Sequence, residues 1–220
     1  MDFKNLFIGY APKNKNANFD WISLYDVYRE NVKDNFVVVE IGASSIIRTT
    51  ELAKLCKKLI GLEKYKNRIP KSINVINLNY QVGKWEDLSK IFEKESIDII
   101  VASHVIEHVK NDLPCINESY KVLKNGGILL FNTPNRKRLT RSIIEFFKGE
   151  RKFPFWEHIR EYVKLDLLKL IEGSKFDKTN AEIKGIVFGL HGGKIFIYIK
   201  KIPLLFEKYA GFWQIKLIKY

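Results

Sequence analysis

Apolar positions in this chain alternate between two patterns. Short, nearly continuous runs occur at 36–41, 59–63, 73–78, 97–102 and 128–132, and Val37, Val38 and Val39 show the first of them clearly. A run without alternation reads as a strand buried on both faces, as in a parallel sheet. Between the runs, apolar residues recur at helical spacing. They predict helices over 46–58, over a stretch ending at Gly126, and over 162–172 with Gly173 as its stop. Near the start, Asn18 or Asp20 can cap an amphipathic helix over 21–28, which would pack on the sheet edge or cover a ligand. Toward the end, 181–188 and 212–218 have the β-branched and aromatic content of two more strands, with a Lys-rich helical segment over 194–209 between them. Seven strands with helices between them predict a doubly wound α/β sheet.

Composition keeps the picture to one folded unit. A chain of 220 residues, 46% hydrophobic, suits a single domain over 1–220, divided into a helical cap over 1–31, a core over 32–135 and a remainder over 136–220. No apolar run is long enough to cross a bilayer and the first residues lack a signal-peptide pattern, which points to the cytoplasm. Cys56 and Cys115 are far apart, giving neither a disulfide framework nor metal spacing, and they read as buried thiols. Four histidines without paired cysteines or a short carboxylate cluster predict no metal site.

The formal net charge of +13 is the outlier. Much of it is Lys on helix faces, such as Lys54, Lys57 and Lys58, where a solvated surface is the default. Arg136, Lys137, Arg138 and Arg141, with Lys148, Arg151 and Lys152 close behind, form a denser basic segment. Beside a ligand crevice such a segment suggests an anionic substrate or surface; elsewhere it serves solubility.

Chemistry concentrates between 97 and 135. The apolar run at 97–102 leads into Ser103, His104, Glu107 and His108, and a later Gly126-Gly127 pair leads into the run that ends at Asn132, Thr133, Pro134 and Asn135. This is a βαβ unit whose Ser103, His104, Asn132 and Thr133 would face one crevice beyond the strand ends. With Glu40 and Gly42 after the first run and Gly61-Leu62-Glu63 at the end of the second, the chain from about residue 32 onward resembles the class I S-adenosylmethionine-dependent methyltransferases. The resemblance implies a Rossmann-like methyltransferase fold, a mostly parallel seven-stranded sheet with an antiparallel last strand, and S-adenosylmethionine as cofactor.

The resemblance also assigns roles. Gly42, Ala43 and Ser44 form the turn after the first strand, with helix-start amides at Ile46 placed to receive the cofactor's carboxylate. Glu40 would meet its ammonium, and Glu63, about twenty residues past Gly42, would accept hydrogen bonds from the ribose hydroxyls. Glu63 otherwise reads as a solvated carboxylate beside Lys64. Family members carry glycine where this chain has Ser44 and Ile46, so either the turn is drawn differently, with the Ser44 and Ser45 hydroxyls on the cofactor, or binding is weak. For adenine, Trp85 would stack and Glu86 or Asp87 reach the exocyclic amine, while Asp87 is equally suited to capping a helix. Ser103 lines the cofactor side, and His104 is the first candidate base. Glu107 and His108 suit a structural role in the same loop. His158, in a segment through Tyr162 that would fold over the acceptor, is a second candidate base or an acceptor ligand, and Tyr162 itself suits the core.

Three functions follow. The motifs most resemble O-methyltransferases acting on small molecules or glycans and found with cell-surface polysaccharide enzymes. The charge allows an RNA methyltransferase, although no appended RNA module is recognisable. The lost glycines allow a weakly active partner subunit. A nicotinamide-dependent oxidoreductase fits less well, because Gly42 alone is not the dinucleotide fingerprint.

Overall fold

The structure is a computed structural model that describes residues 6–10, 27–71, 74–149, 157–192, 195–199 and 202–220. Ten strands are named in chain order: β1 Leu6–Tyr10, β2 Val37–Ile41, β3 Lys58–Glu63, β4 Leu78–Val82, β5 Ile97–Ser103, β6 Leu123–Pro134, β7 Ala181–Ile186, β8 Phe188–Gly192, β9 Ile195–Ile199 and β10 Phe212–Ile218. Seven of them form one sheet in the order β4-β3-β2-β5-β6-β10-β7. Strands β2 to β6 run parallel, and β10 lies antiparallel between β6 and β7. The expected doubly wound sheet and its antiparallel last strand are therefore present.

Alternate residues of the central strands point to opposite faces, and both faces are covered. Val39, Ile41, Ile100, Ala102, Leu129 and Phe131 join one core, and Val38, Ile99, Val101 and Leu130 join the other. Burial on both sides is why these strands lack a polar-apolar alternation. The helices that cover the sheet include α1 Ile46–Ala53, α2 Leu88–Ile91, α3 Asp112–Val122, α4 Leu139–Lys148 and α5 Lys164–Glu172.

Several expected boundaries move, each for a local reason. The third parallel strand is Leu78–Val82, five residues beyond the run at 73–78. It is the sheet's edge, so it is mostly exposed and intersperses Asn79 and Gln81 among its apolar residues. Helix α1 stops at Ala53, because the Asn77 amide caps the carbonyls of Ala53 at 2.7 Å and Cys56 at 2.8 Å. Helix α3 stops at Val122, and Gly126 (φ +76°) with Gly127 lies inside the start of β6, where the pairing with β5 shifts register. Gly173 ends α5 at φ −79°, without a left-handed cap.

The C-terminal expectation needs the largest correction. The stretch 194–209 is not one helix: it contains strand β9 and a 3-10 segment over Leu204–Tyr209. A second sheet, ordered β1-β9-β8, is antiparallel throughout. Val187 creates the break between β7 and β8. It is 1% exposed with φ +60°, a costly conformation for a β-branched residue, and the chain leaves the large sheet there. Strand β1 also falls in the segment expected to be a helical cap; of the helix expected over 21–28 only the end is described, a helical stretch over 27–31, and the rest lies outside the described residues.

Gly185 fixes the approach of the 3-10 segment to β7. A Cβ there would lie 2.7 Å from Glu207 Cγ, 2.8 Å from Ala210 Cβ and 2.9 Å from the Glu207 carbonyl oxygen. Gly185→Ala is expected to cost about 1–3 kcal/mol through overpacking, read as a lower urea midpoint with unchanged m value. An unchanged midpoint would contradict this close packing.

Candidate active site

The chain leaves β2 toward β3 and β4 on one side, then returns through β5 to build the other side. In open α/β sheets ligands bind beyond the strand ends at such a reversal, which in this chain is the region of the loops after β2 and β5.

The turn after β2 is redrawn around one glycine. Gly42 has φ +70°, and a Cβ there would sit 2.7 Å from Val105 Cγ2 on the loop after β5. Among the described residues the positive-φ non-glycines are Glu95, His104 and Val187, so neither Ser44 nor Ile46 needs a glycine conformation. Gly42 N–H donates to the Leu62 carbonyl at 2.8 Å, and Ser44 N–H donates back to Gly42 at 2.8 Å. Ala43 is fully buried, Ser44 is exposed, and Ser45 opens α1 with no side-chain cap.

Two carboxylates flank this turn. Glu40 is 1% exposed, and its Oε2 has no hydrogen-bond partner. Burial pushes its carboxyl above the ordinary value; the Arg48 charge and the Thr49 hydroxyl oppose that shift, and the Glu63 charge adds to it. Glu63 closes β3 as a buried side chain whose Oε1 accepts from Lys64 N–H at 3.0 Å. It is therefore not the solvated carboxylate that its neighbour Lys64 suggested.

Trp85 is elsewhere. Its indole is 2% exposed, donates to Ser119 Oγ at 2.8 Å and meets Phe131 edge-on at 6.2 Å. The expected adenine stacking is corrected to a core role, because no open ring face remains. Glu86 is exposed on the turn after β4, and Asp87 precedes α2 without a side-chain cap bond.

His104 heads the opposite wall. Its backbone is left-handed at φ +53°, held by Asn132, whose side-chain oxygen accepts from His104 N–H at 3.0 Å. Strain of this kind persists where the surroundings over-determine the backbone. The His104 Nδ1 lies 3.2 Å from Glu107 Oε1, and the fully buried Glu107 also accepts from the Thr133 hydroxyl at 3.1 Å. Phe212 packs edge-on against the imidazole at 4.9 Å. Ser103, 6% exposed, bridges this wall to the glycine turn: its Oγ accepts from Arg48 Nη1 at 3.3 Å and donates to Asn132 Oδ1 at 3.4 Å.

His158 joins the same neighbourhood from fifty residues away. Ile159 N–H and Arg160 N–H donate to the Glu107 carbonyl at 2.9 and 3.4 Å, which seats the segment against the loop after β5. His158 pairs with Glu161 at 3.2 Å and stacks edge-on with His108 at 4.9 Å, while His108 Nδ1 contacts the Glu157 carbonyl at 3.0 Å. Glu107, His108 and His158 bring one potential ligand atom each within 4.8 Å of the others. The separation of His108 and His158 in sequence concealed this grouping. Tyr162 is buried, as expected, with its hydroxyl donating to Asp112 at 2.9 Å.

Comparison with known proteins bears on the family and the fold. Residues 39–131 match the methyltransferase domain family. Over that stretch the chain is similar to the class I S-adenosylmethionine-dependent methyltransferases. A mitochondrial ubiquinone biosynthesis O-methyltransferase of Dictyostelium discoideum is 28% identical over 192 residues, covering 74% of this chain and 58% of that protein. A probable S-adenosylmethionine-dependent methyltransferase of Mycolicibacterium smegmatis is 34% identical over 110 residues, covering 46% of this chain and 38% of that protein. The chain thus spans about half the length of these relatives. In fold it is similar to the YcgJ protein of Bacillus subtilis, with a TM-score of 0.64 at 16% identity over 90% of this chain and 98% of the other.

Part of the basic segment is paired from within. Arg138 and Arg141 both reach Glu161, at 2.8 and 2.6 Å, and Arg136 and Arg141 reach Glu145 at 3.0 and 2.8 Å. The expected anion-attracting patch shrinks accordingly, with Lys137 its exposed member; Arg151 and Lys152 lie outside the described residues. Arg48 is the site residue that sequence reasoning missed. Its signal was a cation in the first turn of a helix, where the helix dipole disfavours positive charge.

Glu161 makes the arrangement testable. Burial alone would raise its carboxyl, but the His158 hydrogen bond and the two arginines outweigh it and bring the carboxyl from 4.5 to about 2. A lowered folded-state value stabilises above the unfolded value and is lost as pH falls toward 2. Glu161→Gln should cost on the order of 3 kcal/mol at neutral pH by removing the buried charge that Arg138 and Arg141 share. Urea unfolding from pH 7 to pH 2 should also lose less stability below pH 4.5 in the variant than in the wild type; parallel profiles would refute the assignment.

Proposed function

We propose that the protein is an S-adenosylmethionine-dependent O-methyltransferase acting on a small-molecule hydroxyl, with a glycan hydroxyl as the variant of that reading. The observation that carries it is the placement of buried Glu40 and Glu63 beside the glycine turn on one side of the strand reversal, with His104 and Glu107 after β5 on the other. The unpartnered Glu40 Oε2 fits a ligand ammonium, and Glu63 at the strand end fits a ribose diol. The cofactor, when bound, supplies an electrophilic methyl group on a sulfonium.

Protein residues account for positioning and proton transfer. Glu107 holds His104 Nδ1, which selects the imidazole tautomer whose Nε2 can take a hydroxyl proton. That nitrogen is shielded from solvent, so proton transfer to it takes place away from bulk water. His158, held by Glu161, lies next to the same carboxylate and is suited to steer the acceptor. Relatives named O-methyltransferases support oxygen as the accepting atom. The pairing of Arg136, Arg138 and Arg141 to Glu145 and Glu161 removes the basic segment as support for the RNA reading, which then rests on the net charge of +13.

Two measurements test this reading. Glu63→Ala should weaken S-adenosylmethionine binding by about 1.5–3 kcal/mol in calorimetry through loss of charge-assisted hydrogen bonds, and unchanged affinity in a folded variant would reject the ribose role. His104→Ala should lower turnover roughly 100-fold with cofactor affinity intact. The wild-type rate should fall as acid protonates the imidazole, and that limb should vanish in the variant. If acceptor affinity drops while turnover at saturation survives, His104 is a wall of the pocket and no base.

A further inference from the structure

Arg48 occupies a place where helix physics argues against it. It lies in the first turn of α1, an eight-residue helix with no acidic residue in that turn and no side-chain cap from Ser45. Helix N-termini carry partial positive charge, so a cation there is unfavourable unless an anion joins it. Several groups around it are incompletely matched. Arg48 Nε is buried without a hydrogen-bond partner, as are Ser45 Oγ and Glu40 Oε2. The guanidinium holds Ser103 Oγ through a single hydrogen bond of 3.3 Å, and its charge acts on Glu40 from across the turn.

We propose that Arg48 and Glu40 form a zwitterion clamp for the amino-acid end of the cofactor, with Arg48 taking the carboxylate and Glu40 the ammonium. The proposal rests on reading the crevice as an S-adenosylmethionine site, and names the residue that replaces the missing glycine turn. In that turn backbone amides would receive the carboxylate; here Ser44 and Ile46 keep negative φ, and a charged side chain from the following helix reaches the same strand ends. A guanidinium offers several donors in a fixed plane, so it can keep Ser103 while receiving a carboxylate. One buried anion and one cation on the same wall match an α-amino acid. They do not match a dinucleotide's diphosphate, which Glu40 would repel.

The test compares two ligands that share the nucleoside and thioether but differ in the amino-acid end. Calorimetry with S-adenosylhomocysteine and with methylthioadenosine should give clearly tighter binding of the former to the wild type. Arg48→Met should weaken S-adenosylhomocysteine by about ten- to a hundredfold while leaving methylthioadenosine unchanged. Arg48→Lys should recover part of the loss, and its thermal midpoint guards against a folding defect in the methionine variant. Equal loss for both ligands, or undiminished S-adenosylhomocysteine affinity in Arg48→Met, overturns the clamp. Equal wild-type affinity for the two ligands also overturns it while the nucleoside reading stands, whereas binding of neither overturns the cofactor reading and the clamp together.

Discussion

The buried carboxylate of Glu107 is the constraint around which the region beyond β5 and β6 is organised. A fully buried acid must find its partners inside the protein, and Glu107 finds them on two elements, the His104 imidazole and the Thr133 hydroxyl at the end of β6. Its backbone carbonyl holds a third element, the segment carrying His158. Satisfying one charge therefore sets the relative positions of β5, β6 and the chain at 157–162. The left-handed backbone of His104 is tolerated because Asn132 and Glu107 hold that residue from both its main chain and its ring.

Two other buried acids handle charge in opposite ways. Around Glu161, two guanidiniums and an imidazole satisfy one buried acid, and its carboxyl is correspondingly lowered. Around Glu40, the acid is as deeply buried, its carboxyl is raised, and one oxygen has no partner. The two environments lie in one protein and differ in what remains to be satisfied. A completed network fixes structure, while an incomplete one at a strand end is suited to a ligand.

The small antiparallel sheet shows where local pattern fails to predict architecture. Strand β9 has the apolar and aromatic content of a strand, yet nearby lysines and the aromatic run suggested a helix over 194–209. Its partners are β8, just before it, and β1, almost two hundred residues earlier. Pairing across that separation is set by the folded chain and leaves no mark in a sequence window. Trp85 failed similarly: its position after β4 suited adenine stacking, but Phe131 and Ser119, brought from β6 and α3, close around it.

The sequence by itself determined the parallel core, because strands buried on both faces are apolar with little interruption, and Val37 to Val39 and Ile99 to Ala102 announce that in any window. It also determined Glu40, Gly42, Glu63 and His104 as residues at strand ends, since their place follows from where each apolar run stops. Tertiary structure decided the rest. The edge strand at Leu78–Val82, half exposed, had no continuous apolar signal, and the start of that strand depends on Asn77 reaching back to α1. The neutralisation of Arg138 and Arg141, the meeting of His108 with His158, and the reach of Arg48 to Ser103 all join residues twenty or more positions apart. Such contacts depend on distances in space, which a one-dimensional pattern of hydrophobicity and charge does not contain.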